Sequence, residues 1–277
     1  MSNLLNQFLA RVYPYKKVLS ALFLLSAFLL FLGLKSCYHK HVSKKEIYLI
    51  GRDSSWYPIQ LYGRERYLVA FMNDLIGEIA IKSEIKVAWL ESSPSFLLAG
   101  LDDGSFDAVI SATRPDSLIQ GKYLFSDPLF KTGLVLVVPS STAINTLKNM
   151  EGATISVSAS SPPPFTIFKK KGINPLDVNF VHYKDVNKGF ELVSRGSIDG
   201  IVVEATQAHI LLDSLYKGKL RVALPSLTDE GLRLIALDTP IGTRLIEDVN
   251  TQLKSVRHDG RYQQLIKKWG LFDLEIP

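Results

Sequence analysis

The residues of this chain best suited to chemistry sit where short apolar runs give way to polar turns. Arg114 stands in Ser111-Ala112-Thr113-Arg114-Pro115-Asp116, directly after the apolar run Ala108-Val109-Ile110. Its guanidinium offers five donors in a fixed fork and no acceptor, which suits a carboxylate or phosphate better than a lysine would. The bland alternative is a salt bridge, with Asp116 as a neighbouring partner. Glu204 follows Ile201-Val202-Val203 in the same manner. A carboxylate there could accept a charge-assisted bond from an ammonium group or close a hinge-side salt bridge. Trp56, in Asp53-Ser54-Ser55-Trp56, could stack on a ligand or fill a core, and Asp53 could bind the ligand or brace that turn. Ser111 and Phe96 could line a cleft or serve packing alone.

Other chemistries find little support. His182, His209 and His258 are scattered without metalloprotease-type spacing, and His39-Lys40-His41 reads as a solvated tether. The single cysteine, Cys37, excludes an internal disulfide and a cysteine-cluster zinc site. No nucleophile, base and acid fall into a triad pattern. The residues therefore predict no metal, no cofactor and no catalytic centre.

The chain has 277 residues and a formal charge of +5. Seven basic residues up to Lys45, with no acid before Glu46, carry that excess; the remaining 25 basic residues face 27 acidic ones, a net of −2 for residues 46–277. A nucleic-acid partner is not expected of a folded part without a basic surplus. Arg11, Lys16 and Lys17 precede a 17-residue apolar run, Val18 to Leu34. Positive charge before such a run keeps the N-terminus cytoplasmic and exports the chain beyond the run. Leu34-Lys35-Ser36-Cys37 resembles a bacterial lipobox, from which Lys35 departs. Lipidation at Cys37 and an uncleaved signal anchor are both open. Either makes 1–37 a leader, 38–45 a tether, and the remainder a periplasmic part held at the membrane.

The elements that must position these residues alternate. Strand-like runs at 47–50, 85–90, 106–110, 133–138, 153–157, 178–183 and 200–203 are separated by helix-like ones, chiefly 68–82 and 245–269. Leu68, Phe71, Met72, Leu75, Ile76, Ile79 and Ile81 fall mostly at helical spacing. The βαβ rhythm implies an α/β fold of mainly parallel sheets flanked by helices, with strand-to-helix loops gathered along one edge. It repeats on both sides of Gly133–Pro139, which predicts two lobes.

Several stretches resemble the periplasmic solute-binding proteins of polar amino-acid ABC transporters. The ending VNTQLKSVRHDGRYQQLIKKWGL is similar to that family's helix–Asp-Gly–helix–Lys-Trp-Gly close. Phe125-Ser126-Asp127-Pro128 matches its FSDP motif. Gly104-Ser105-Phe106-Asp107-Ala108 and Arg195-Gly196-Ser197-Ile198-Asp199-Gly200 resemble its Gly-x-x-Asp strand opening, once per lobe. The resemblance covers about residues 46–272. It implies the type II periplasmic-binding-protein fold, with 46–135 and 229–277 forming one lobe and 136–228 the other, closing on one solute by a hinge. It also implies an amino-acid-like ligand and an ABC permease as partners, and no enzymatic step.

The family pattern maps residue by residue. The aromatic cover falls on Trp56, the amino-group acceptor on Glu204, and the hydroxyl-rich carboxylate loop on Ser160-Ser161-Pro162. The family's carboxylate arginine falls on Ile119, and Arg114 lies five residues earlier, at a position where the family has a Ser or Thr facing the ligand. Pro162 also departs, since it has no amide hydrogen to donate. These departures leave open a ligand-sensing module without transport. A dehydratase-type enzyme on the same fold is the lesser alternative.

Overall fold

A computed structural model describes residues 47–272, except 58, 60, 116–120, 159–166, 170–171, 173 and 225–226 and the side chains of 147–148. The leader, the tether, Cys37, Asp116, Ile119, Ser160, Ser161 and Pro162 lie outside the described residues.

Two sheets form. The first takes β1 (Ile47–Arg52), β2 (Lys86–Glu91), β3 (Ala108–Ser111), β4 (Tyr123–Phe125) and β5 (Phe130–Lys131). The second takes β6 (Leu134–Pro139), β7 (Thr154–Ser158), β8 (Asn179–Tyr183), β9 (Gly200–Glu204) and β10 (Leu220–Leu224). The chain then returns as β11 (Gly231–Leu237) to complete the first sheet, in the order β2-β1-β3-β11-β4 with β5 also on β11. The second sheet runs β10-β6-β9-β7-β8. Helices α1 (Glu65–Ser83), α2 (Leu97–Asp102), α3 (Val186–Ser194), α4 (Ala205–Ser214), α5 (Pro240–His258) and α6 (Arg261–Lys268) flank them. This is the expected two-sheet α/β architecture.

Each sheet is more mixed than the βαβ rhythm predicts. β1 lies parallel to β2 and β3, and β7 parallel to β8 and β9. β6 and β11 are antiparallel to every neighbour. The reason is the crossing itself. β6 and β11 begin where the chain passes from one sheet to the other, so they run away from the edge at which the parallel strands end. That shared edge collects the ends of β1, β3 and β9 with the starts of β6 and β11.

The motifs that carry the family resemblance do structural work. Asp107 accepts the Leu49 amide at 2.8 Å, and Asp199 accepts the Thr154 amide at 2.7 Å. The same device thus fixes strand pairing in both lobes. In the FSDP segment, Ser126 Oγ accepts the Leu234 amide at 2.9 Å while Asn250 Oδ1 accepts the Asp127 amide at 2.7 Å, tying β11 and α5 together. Buried Arg233 donates to the Ser126 carbonyl at 2.8 Å. In the Lys-Trp-Gly ending, Lys268 Nζ and Trp269 Nε1 both reach Asp74 Oδ2, at 2.7 and 2.8 Å, and dock the C-terminus on α1.

The core follows the helical stripe. Leu68, Phe71, Met72, Leu75, Ile76 and Ile79 of α1 are all buried, and Phe71 meets Phe130 and Tyr262 edge-on with centroids 5.8 and 5.5 Å apart. The single helix expected over 245–269 is two, α5 and α6. Gly260 breaks it with φ 78, a left-handed conformation that glycine takes without a Cβ penalty.

Candidate functional site

The site is assembled at the shared sheet edge, beginning with the loop after β1. Buried Arg52 anchors this loop: its Nε donates to Glu91 at 2.7 Å, its Nη1 to Asn73 at 2.5 Å, and its guanidinium lies 4.6 Å from the Trp89 ring centroid. Asp53, expected among the ligand-binding residues, closes the turn instead. Its carboxylate accepts the Ser55 amide (3.1 Å), the Ser55 hydroxyl (2.6 Å) and the Tyr57 amide (3.2 Å). Those bonds occupy Asp53 within its own loop.

Trp56 does not form the wall expected of it. It adopts φ 58, rare for a bulky residue, and this turn drives the indole into the core of the first lobe. There it is 2% exposed and packs in the same cluster as Leu61 and Leu68. Its Nε1 donates to the Glu65 carbonyl at 3.3 Å. The next residue takes the outward place: Tyr57 is 70% exposed and lines a cavity of about 630 Å³.

Ser111, at the end of β3, lines the same cavity, together with Thr113, Ser95 and Leu97. The Ser111 and Thr113 hydroxyls are 2.9 Å apart, and the Thr113 amide donates to Ser111 Oγ at 3.1 Å. Phe96 is not among its lining residues. Its ring turns outward onto Phe106, 6.3 Å centroid to centroid at 78°, because the facing Gly100 leaves space there.

A second cavity, of about 170 Å³, shares Ala112 with the first and lies between the sheets. Ala112 and Arg114 come from the loop after β3, Thr132 from the crossing, Glu230 and Gly231 from the start of β11, and Glu204 and Thr206 from the β9–α4 junction. Arg114 has found a partner: its Nη1 is 2.9 Å from Glu230 Oε1, with the arginine side chain 66% exposed. The salt-bridge alternative is therefore realised, with Glu230. Glu204 stands at the N-cap of α4 without a side-chain capping bond. The residue is exposed, yet burial by surrounding protein and then the Glu230 charge push its pKa above the usual carboxylate range.

Two tyrosines respond to Glu204. Burial, and then the Glu204 charge, push the Tyr183 phenol up to about 12, and its hydroxyl donates to the Val202 carbonyl at 3.2 Å. The Tyr62 phenol is raised by the same two causes in the same order. Thr206 is 1% exposed, and its Oγ1 makes no hydrogen bond.

Of the residues expected at the site, Arg114 and Glu204 share one cavity and Ser111 lines its neighbour. Asp53 braces the loop, Trp56 and Phe96 pack elsewhere, and Ser161 lies outside the described residues. Tyr57, Thr113, Thr132, Thr206 and Glu230 were not foreseen. Tyr57 had a signal, since only one of the adjacent aromatics Trp56 and Tyr57 could face inward. Glu230 had none, because it is 116 positions from Arg114 in sequence.

Among the described residues no helix is long and apolar enough to cross a membrane, and no cluster of His, Cys, Asp or Glu could hold a metal. The run 18–34 lies outside them.

The family model described as bacterial extracellular solute-binding proteins, family 3, matches residues 48–272. The histidine-binding periplasmic protein of Escherichia coli (strain K12) is 25% identical over 232 residues, covering 81% of this chain and 88% of its own. A probable amino-acid ABC transporter-binding protein of Haemophilus influenzae is 23% identical over 241 residues, covering 84% and 88%. The unliganded, open L-cystine solute receptor of Neisseria gonorrhoeae matches in fold with a TM-score of 0.61 and 17% identity, over 83% of this chain and 95% of that one.

Proposed function

This chain belongs to the bacterial extracellular solute-binding proteins of family 3, and from that premise we propose that it binds an amino acid or a similar small polar solute between its two sheets and delivers it to an ABC permease. Binding is non-covalent, with no cofactor and no chemical step. The observation that supports this reading is convergence: Arg114, Glu204, Thr206 and Glu230 come from both sheets to one cavity. Ligands in open α/β sheets settle at such strand-end edges. Glu204 accepts the solute's amino group, Ser111 and Thr113 offer hydroxyls, and Tyr57 supplies an aromatic face. Arg114, already paired, reaches a solute carboxylate only by exchanging Glu230 for it. The relatives' printed names, histidine-binding and amino-acid ABC transporter-binding, point to the same class of solute.

The reading is tested by thermal unfolding of the full chain in detergent with each common amino acid. A ligand at 100 times its Kd stabilises the native state by about 2.7 kcal/mol, so at least one is expected to raise the transition clearly. A transition unmoved by all of them contradicts solute binding.

The pH dependence has two opposite parts. A raised carboxylate pKa means that the native state holds the Glu204 proton more tightly than the unfolded chain does. Its contribution to stability is therefore present at low pH and lost as pH rises through the raised value. Binding an ammonium group requires the ionised form, so affinity is expected to fall as pH drops through that same value. Calorimetric titration across this range checks the sign, and an affinity that rises on acidification opposes the role of Glu204.

The basic residues before the run 18–34, and Cys37 after it, support a binding unit that lies in the periplasm and is tethered to the cytoplasmic membrane. Lipidation is expected to appear as fatty-acid labelling that is lost in Cys37→Ser. An unlabelled native chain would instead favour the uncleaved anchor.

A further inference from the structure

We propose that Glu230 sets the ligand chemistry of the cavity between the sheets, and that the group it selects is a cationic amine, with a ligand carboxylate dispensable. This rests on the solute-binding reading above and narrows it to one charge class.

Among the described residues lining this cavity, Arg114 is the one cation, and it is held 2.9 Å from Glu230. The pair cancels, and Glu204 remains, with no ion pair among the described residues. The cavity therefore carries a net negative charge. A carboxylate entering here meets Glu204, finds its arginine engaged, and on displacing Glu230 leaves that charge beside itself. An ammonium group meets the reverse situation, in which either glutamate accepts a charge-assisted bond. Like charges brought together in a partly desolvated site disfavour binding, and this is how charge selectivity arises.

The second observation is independent of charge. Thr206 is 1% exposed, lines this cavity, and has a hydroxyl oxygen without a hydrogen-bond partner. Buried polar atoms are almost always paired. This oxygen belongs to the same β9–α4 junction as Glu204, where an N–H donor from a ligand would satisfy it. In the adjoining cavity, the open ring of Tyr57 presents a face that attracts cations.

The test is calorimetric titration of the full chain in detergent with L-lysine, cadaverine (lysine without its carboxylate), L-glutamine and L-glutamate. Lysine and cadaverine are expected to bind within about tenfold of each other, a difference of no more than about 1.4 kcal/mol. Glutamate is expected to bind at least roughly 100-fold more weakly, about 2.8 kcal/mol on the same scale. In Glu230→Gln the two cations weaken by about tenfold or more and the gap to glutamate narrows. Glu230→Asp keeps the charge and is expected to keep the preference, so a fault in folding is separated from a change in selectivity. Lysine binding without cadaverine binding overturns the proposal, as does glutamate binding as tightly as lysine, or an unchanged order in Glu230→Gln. If glutamine binds and neither cation does, solute binding stands and the charge selection falls. If none of the common amino acids moves the thermal transition and none of these four gives heat, both fall.

Discussion

Replacing Glu204 by glutamine is expected to weaken binding of an amine-bearing solute by roughly 100-fold, within the 2–5 kcal/mol that truncating one partner of a close charge pair costs at a desolvated contact. The substitution keeps size and removes charge, so the ligand ammonium loses its acceptor while the cavity keeps its shape. The free protein is expected to be unharmed. Glu204 makes no side-chain capping bond to α4, and its ionised form is disfavoured by its surroundings and by Glu230. The variant's unfolding midpoint should therefore match or slightly exceed that of the native chain. Affinity within threefold of native in calorimetry, with folding intact, would remove Glu204 from the site.

Replacing Trp56 by alanine is expected to have the opposite profile. The indole is 2% exposed, belongs to the cluster that contains Leu61, Leu68 and Phe71, and donates to the Glu65 carbonyl. Large-to-small replacement of a buried tryptophan costs about 3–5 kcal/mol through lost burial and the cavity left behind. For a folded unit of this size each kcal/mol lowers the transition by about 2–4 °C. The free variant should therefore unfold at least about 6 °C below the native chain. A stacking wall would behave otherwise, with native stability and lost affinity. Unchanged stability in the absence of solute would return Trp56 to the cleft and displace Tyr57 from it.

The scaffold is readable in the sequence for a physical reason. Asp107, Asp199, Ser126 and Asp74 hold backbone amides or the C-terminal ending in place through short, defined bonds, and Asn250 holds the Asp127 amide, so their spacing is fixed by strand and helix geometry. The helical stripe from Leu68 to Ile79 is likewise local, and its six apolar residues are buried as the period predicts, whereas Ile81, which falls off that stripe, is 76% exposed. The site is less readable because it forms where distant strand ends converge. Arg114 and Glu204 are recognisable individually, each following an apolar strand. Glu230, which pairs with Arg114 and repels Glu204, follows Ser226-Leu227-Thr228-Asp229, with one apolar residue among the four, and lacks that signature. Its role depends on β11 re-entering the first sheet beside β3, which no local pattern specifies. The exchange of Trp56 for Tyr57 depends on one backbone angle, φ 58, that period and propensity would assign to glycine or asparagine rather than tryptophan. The mixed direction of the sheets has a similar origin, since antiparallel β6 and β11 arise from the two crossings between lobes.

The central claim is that a solute sits between the two sheets with its amino group on Glu204. A crystal structure of the chain with its tightest-binding amino acid or amine tests this most directly. The expected density lies in the cavity bounded by Arg114, Glu204, Thr206 and Glu230, with the ligand nitrogen about 2.7–3.2 Å from a Glu204 oxygen. Density for the ligand elsewhere on the surface, or in this cavity with its amino group turned away from both glutamates, would contradict it.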